Sequence, residues 1–355
     1  VILVLVFLSF FNTYSQGIID LHKRAIVFDG HCDTILRLLD QKVDIGRGSY
    51  QGHIDIPKLI EGGVDVQVFA CFVHPLKYKP ELQIKRVLKM IDALTSQIER
   101  YPDRIELALS AGDIERIVKD NKIAAILGVE GGHAIQDDLG ILRQYYRLGV
   151  RLMTLTWFNN TNWADSSVPN PKGYGIYDKI KKHGGLTEFG KEVIREMNRI
   201  GMVIDISHAS DETFLDVLEV TSKPVVASHS CAWELRRHHR NMKDDLLKAL
   251  AKNGGVIGIN FSSNYLISGV SGKNKRASVK DVVDHIDYVV RVAGVDHVGL
   301  GSDFDGINDP PVDLGDCSKM PNITKELVRR GYSEEDIMKI LGGNFIRVFR
   351  EVFGN

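Results

Sequence analysis

Eight short apolar runs recur along the chain, and none shows the strict polar alternation of a strand with one face in water. They are AIVFD (25–29), VQVFACFV (66–73), IAAILGV (123–129), RLMTLTW (151–157), MVIDIS (202–207), PVVAS (224–228), GVIGINF (255–261) and HVGLGSD (297–303). A strand that is apolar on both faces has to be covered on both, the condition of a parallel sheet flanked by helices. The stretches between the runs carry a helical period. In LTEFGKEVIREMNRIG, Thr187 stands ahead of acidic Glu188 and Gly201 follows the last turn, a start and stop signal. SVKDVVDHIDYVVRVAG likewise runs from a serine to a glycine. Eight such strands in 355 residues fit an α/β fold closed as a (β/α)8 TIM-type barrel. A doubly wound open sheet is the alternative, but no GxGxxG follows the first strand to support a dinucleotide fold.

The formal net charge is −1, which gives no reason to expect nucleic acid or an anionic membrane as partner. The one basic knot, RRHHR at 236–240, lacks interleaved aromatics and reads as a solvated loop or a small anion site. Residues 1–16, VILVLVFLSFFNTYSQ, are too short to span a bilayer comfortably and place small Ser15 after the apolar run. They are expected to be an export signal with an incomplete n-region, leaving 17–355 as a single catalytic barrel domain that is periplasmic or secreted. No hydrophobic anchoring tail is expected from VFREVFGN at the C-terminus. Cys32, Cys71, Cys231 and Cys317 are too scattered for a disulfide framework or a CxxC metal site. Cys32 and Cys71 could meet on neighbouring strands, but buried free thiols are the expectation. A homodimer is compatible with the sequence and not required by it.

In such a barrel the active site forms at the C-terminal ends of the strands. The first ends at His31 and Asp33 in FDGHCDTI, the third at Glu130 in GVEGGH, and the fifth at His208 in DISHAS. The sixth ends at His229 in ASHSCAW and the eighth at Asp303 in GSDFDG. Three histidines and three carboxylates at five strand ends, none placed by the apolar period, point to a metal cage. Imidazole with carboxylate suits zinc without thiolate. The supply exceeds what one catalytic zinc uses, so two Zn²⁺ are expected, with Glu130 as the bridge. His31 and Asp33 would hold one ion, and His208 and His229 the other. A hydroxide shared by both ions would be the nucleophile and Asp303 the proton carrier. Asp305, two residues on, could face the same way.

The segments DGHCDT, GVEGGHAI, LTEFGKEVIREMNRIGMVIDISHAS, ASHS, RNMKDD and HVGLGSDFDG together resemble the membrane (renal-type) dipeptidases, peptidase family M19, from about Ile26 to Phe353. The resemblance implies an amidohydrolase-like barrel with two zinc ions that hydrolyses dipeptides and tolerates a D-residue at the C-terminal position. It implies the same ligands, His31, Asp33, Glu130, His208 and His229, with Asp303 as acid/base. It also implies that Arg240 holds the substrate carboxylate, a task suited to a guanidinium fork. Two features depart from the family pattern. Trp157, in LTWFNNTNWAD, stands where mammalian-type members have a histidine facing the developing charge of the scissile carbonyl, and the mammalian lipid anchor is not expected here. Asn159 and Asn160 are alternative donors to that charge, and Trp157 would then line the substrate pocket. The alternative is a related metal-dependent amidohydrolase acting on another amide, a lactone or an N-acyl amino acid. A binding protein derived from an enzyme would have lost ligands, and none of the expected ligands is lost.

Overall fold

A computed structural model of the chain describes residues 16–48, 51–168, 182–270 and 275–353. The expected export signal at 1–16 falls, but for Gln16, outside these residues. A helix over 16–24 leads into β1 (Val27–Cys32). The strands that follow are β2 (Val64–Phe72), β3 (Ile123–Glu130), β4 (Val150–Thr154), β5 (Val203–Asp205), β6 (Val226–Ser230), β7 (Val256–Ile259) and β8 (Val298–Leu300). Each pairs in parallel with the next, and Asp29 of β1 pairs with Leu300 of β8, so the eight close into a ring. This is the expected TIM-type barrel. A further three-residue strand, Ile105–Leu107, pairs with the first residues of β3 and was too short to announce itself in the sequence.

The apolar runs divide by period two. On β3, Ala124 and Ile126 belong to one packed cluster and Ile123, Ala125, Leu127 and Val129 to the other. The first cluster fills the lower barrel with Phe28, Val66, Val68, Leu152, Val203, Val226 and Val256. The C-terminal helix, Asn344–Phe353, adds Phe345 and Phe349 to it, and Phe28 stacks on Phe345 at 5.0 Å between ring centroids. The second cluster packs the outer faces against the surrounding helices. Glu188–Ile200 starts at Thr187, whose side chain accepts from Gly190 N–H, and ends at Gly201 with φ +80°. Val279–Ala293 starts at Ser278, whose N–H donates to Asp281. Both follow the sequence signals.

Several strands stop short of their expected ends. β4 closes at Thr154, so Trp157 lies in the loop beyond it rather than on the strand. β5 and β8 stop three residues before His208 and Asp303. All four cysteines are buried free thiols. Among the described residues, no helix is long and apolar enough to cross a membrane.

Candidate metal centre

Different local devices bring the candidate side chains to the barrel mouth. Glu130 is the last residue of β3 and keeps the inward phase of Ala124 and Ile126. His31 needs more, because alternation from inward Phe28 would turn it outward. Between Asp29 and Cys32, β1 spends three residues where β2 spends two, Gln67 to Phe69. The extra residue reverses the phase, and Cys32 packs outward while His31 faces in. β6 carries one extra residue against β7 between Ala227 and Ser230, around His229. Asp33 sits beyond β1 as the N-cap of Thr34–Asp40, its N–H bonded to Phe304 O at 2.9 Å. His208 and Asp303 take left-handed conformations, φ +67° and +61°. Such backbones are costly for side chains other than glycine and gather at functional sites.

The convergence is tight. Oε1 of Glu130 lies 3.0 Å from His208 Nε2 and 3.6 Å from His229 Nε2, while Oε2 lies 3.7 Å from His31 Nε2. His31 Nε2 is 4.0 Å from Asp33 Oδ2. The glutamate therefore shows one oxygen to each half of the cage. Among the described residues, three sets have ligand atoms within 4.8 Å of one another: His31, Asp33 and Glu130; Glu130, His208 and His229; and His31, His229 and Asp303.

The donor set fits a cation. Both ring nitrogens of His31, Oδ1 of Asp33 and Nδ1 of His208 are buried without a hydrogen-bond partner. Burial pushes His31 down to about 4, and His208 and His229 well below the usual imidazole range, so all three stay neutral, as ligands must be. Burial first, then the neighbouring carboxylates, pushes Asp33 and Glu130 well above the usual carboxylate range. Neutral imidazoles and crowded carboxylates around one point are what a divalent cation would relieve.

Asp303 and Asp305 separate clearly. Asp303 accepts from Asn260 Nδ2 at 2.8 Å, belongs to one of the three ligand sets, and is pushed up to about 6 chiefly by burial. Asp305 instead accepts from Thr34 Oγ1 at 2.8 Å, His53 N–H at 2.7 Å and Arg37 at 3.3 Å. Its oxygens are engaged in holding the loop together. Arg240 is buried beside the cage, with one amino group donating to His229 O at 2.9 Å and Nε without a partner. The Tyr265 ring lies 5.8 Å from its guanidinium carbon. Trp157 packs between Phe72 (4.6 Å), Phe158 (4.8 Å) and His74 (5.2 Å), with His208 at 6.5 Å, and so walls the cage. Asn159 donates to Asn160 O at 3.1 Å, and Asn160 Oδ1 accepts from Ser166 N–H at 2.9 Å. These contacts hold the loop after β4.

The family profile describing membrane dipeptidases (peptidase family M19) matches residues 16–354. The chain belongs to the M19 family. Dipeptidase tcpJ of Claviceps purpurea is 37% identical over 309 residues, 85% of this chain and 69% of that protein. A metallopeptidase of Rhodobacter sphaeroides, liganded with a phosphinate mimic of the dipeptide L-Ala-D-Ala, superposes with a TM-score of 0.83 at 27% identity, covering 92% of this chain and 99% of that one. The Pseudomonas aeruginosa structure described as the probable dipeptidase PvdM gives 0.87 at 26%, covering 95% and 98%.

The M19 barrel also carries buried polar residues that the reading of strand ends passed over. Asp29 accepts from Ser302 N–H at 2.7 Å and Ser302 Oγ at 2.6 Å, tying β1 to the end of β8. Asp205 does the same for Ser228 between β5 and β6. Each aspartate is a charged residue inside an apolar strand, a signal that was present in AIVFD and MVIDIS.

Proposed function

We propose that the chain is a zinc-dependent dipeptidase with a two-ion centre. His31 and Asp33 would hold one ion, His208 and His229 the other, and Glu130 both. The observation that carries this reading is the split of Glu130, with Oε2 toward His31 and Oε1 toward the pair His208 and His229. Zinc bound there would supply an activated water, its pKa brought down to about 7, and a Lewis acid for the scissile carbonyl.

The chain's own residues do the rest. Asp303, fixed through Oδ2 by Asn260, leaves its other oxygen to take a proton from the attacking water and give it to the leaving amine. Arg240 presents a buried guanidinium to the substrate's terminal carboxylate, which selects short peptides. The Rhodobacter structure's L-Ala-D-Ala mimic supports tolerance of a D-residue at the C-terminal position here. Trp157 favours a second reading, an amidohydrolase of the same family acting on another amide, a lactone or an N-acyl amino acid.

The test is turnover before and after chelation and zinc return, on L,L- and L,D-dipeptides, their C-terminal amides, tripeptides and N-acetyl amino acids. Dipeptides with a free carboxylate should be cleaved, and only with metal restored. Preference for amides or N-acetyl amino acids would support the second reading instead.

A further inference from the structure

We propose that Asp205 and Ser228 form a positioning relay that fixes His229 as the Nδ1–H tautomer and so keeps its Nε2 lone pair for a metal ion; this rests on the metal-centre reading above. The protons around Asp205 decide the tautomer. Asp205 is fully buried and takes four donors: Ser207 N–H and Ser228 N–H on Oδ1, both at 2.9 Å, and Thr154 Oγ1 and Ser228 Oγ on Oδ2, both at 2.6 Å. Every partner donates, so the Ser228 hydroxyl has spent its only proton on Asp205. The same hydroxyl lies 2.8 Å from His229 Nδ1. It can only accept there, so His229 Nδ1 must carry the hydrogen.

The consequence appears at the other end of the ring. His229 Nε2 is 3.1 Å from His208 Nε2 and 3.6 Å from Glu130 Oε1. With the opposite tautomer an N–H would occupy that space, bond to one of these two groups, and compete with a cation for it. Nδ1 of His31 and Nδ1 of His208 make no such bond. His229 is thus the imidazole of the cage whose distal nitrogen is tied to a buried carboxylate through a hydroxyl. Such outer partners commonly govern metal affinity 10–100-fold.

The test is zinc affinity of the full chain by chelator competition, with folding checked by circular dichroism. Ser228→Ala should weaken one of two bound zinc ions 10–100-fold. Thr154→Ala removes the other hydroxyl donor to the same Asp205 oxygen without touching His229, and should stay within about twofold. Ser228→Cys offers a slightly larger and weaker acceptor and should fall between, which keeps the idea testable if the alanine variant misfolds. Nitrogen-15 spectra of the zinc-loaded wild type should show a protonated Nδ1 on His229. Wild-type affinities in Ser228→Ala, or an equal loss in Thr154→Ala, would overturn the relay while leaving the metal centre standing. Wild-type protein that takes up no zinc would overturn the metal centre itself, and the relay with it.

Discussion

The Nε2 atoms of His208 and His229 lie 3.1 Å apart, although His208 follows β5, His229 lies on β6 and neither backbone is regular there. Their meeting beside Glu130 Oε1 suits the shared cation proposed above, provided both Nε2 atoms keep their lone pairs. His208→Ala should therefore lose one of two bound metal ions and keep the other. Glu130→Gln should weaken both, because it removes the negative group common to the two halves. Elemental analysis after exhaustive dialysis measures each case. Full metal content in Glu130→Gln would sink the bridging role.

Arg240 is argued to recognise a carboxylate. Arg240→Ala should raise KM by roughly 10–100-fold, since a hydrogen bond to a charged group contributes about 1.5–3 kcal/mol. Amidation of the substrate's C-terminus should cost the wild type a similar factor and the variant far less. Equal sensitivity of wild type and variant to amidation would remove Arg240 from substrate recognition.

The two aspartates of GSDFDG make a pair of opposed predictions. Asp303→Asn should keep the melting temperature and lose about 10²–10⁴ in kcat, the usual range for general acid–base work. Asp305→Asn should do the reverse. It disturbs a buried ion pair with Arg37, whose rupture costs roughly 3–5 kcal/mol, so thermal stability should drop while any folded fraction keeps near-normal kcat. Loss of kcat confined to Asp305→Asn would reverse the roles.

How much of this was legible in the sequence depends on the kind of order involved. The barrel was, because apolar runs of strand length alternating with amphipathic helices have few other solutions. The convergence of His31, Asp33, Glu130, His208, His229 and Asp303 was, because polar residues at strand ends break the apolar period. The aim of His31 was not, because it depends on one extra residue in β1 that exists only relative to Gln67 and Phe69 on β2. The separation of Asp303 from Asp305 was equally hidden, since it rests on Thr34, Arg37 and His53 arriving from more than two hundred residues away. Trp157 ends an apolar, β-rich run that reads as strand, but β4 loses its pairing with β5 after Thr154.

Acid should destabilise the fold through histidines outside the cage. His133 is buried, bonded through Nε2 to Val73 O at 2.9 Å, and held down at about 4 chiefly by burial. His285 is also lowered by burial; Ala232 N–H donates to its Nδ1 and its Nε2 lies 3.0 Å from Leu266 O. Both stay neutral in the folded chain and take up a proton near 6.5 when it unfolds. For His133 the unfolded state therefore binds more protons between about pH 6.5 and about pH 4. His285 adds to the effect in the same direction below about pH 6.5, and stability falls as the pH falls. Each such histidine contributes up to about 1.4 kcal/mol per pH unit. Urea unfolding at about pH 7.5 and about pH 5 should show the loss, and His285→Gln should reduce the slope. A flat profile would mean that the native state admits these protons.

Trp157 replaces an imidazole that could carry charge with a large apolar ring. Its contacts to Phe72, His74 and Phe158 make it part of one aromatic wall, 6.5 Å from the His208 ring. Asn159 donates to Asn160 O and Asn160 Oδ1 accepts from Ser166 N–H, so both amides help hold the loop after β4. Loss of one oxyanion donor without replacement costs about 10²–10³ in kcat. If metal ions carry that stabilisation here and Trp157 chiefly shapes the pocket, Trp157→Phe keeps an aromatic wall but removes the indole N–H and part of the ring surface. Preference among dipeptide side chains should then shift, while kcat on the best substrate stays within about tenfold, or 1.4 kcal/mol. A hundredfold loss of kcat on every dipeptide would instead identify the indole N–H as the donor that replaces the family histidine.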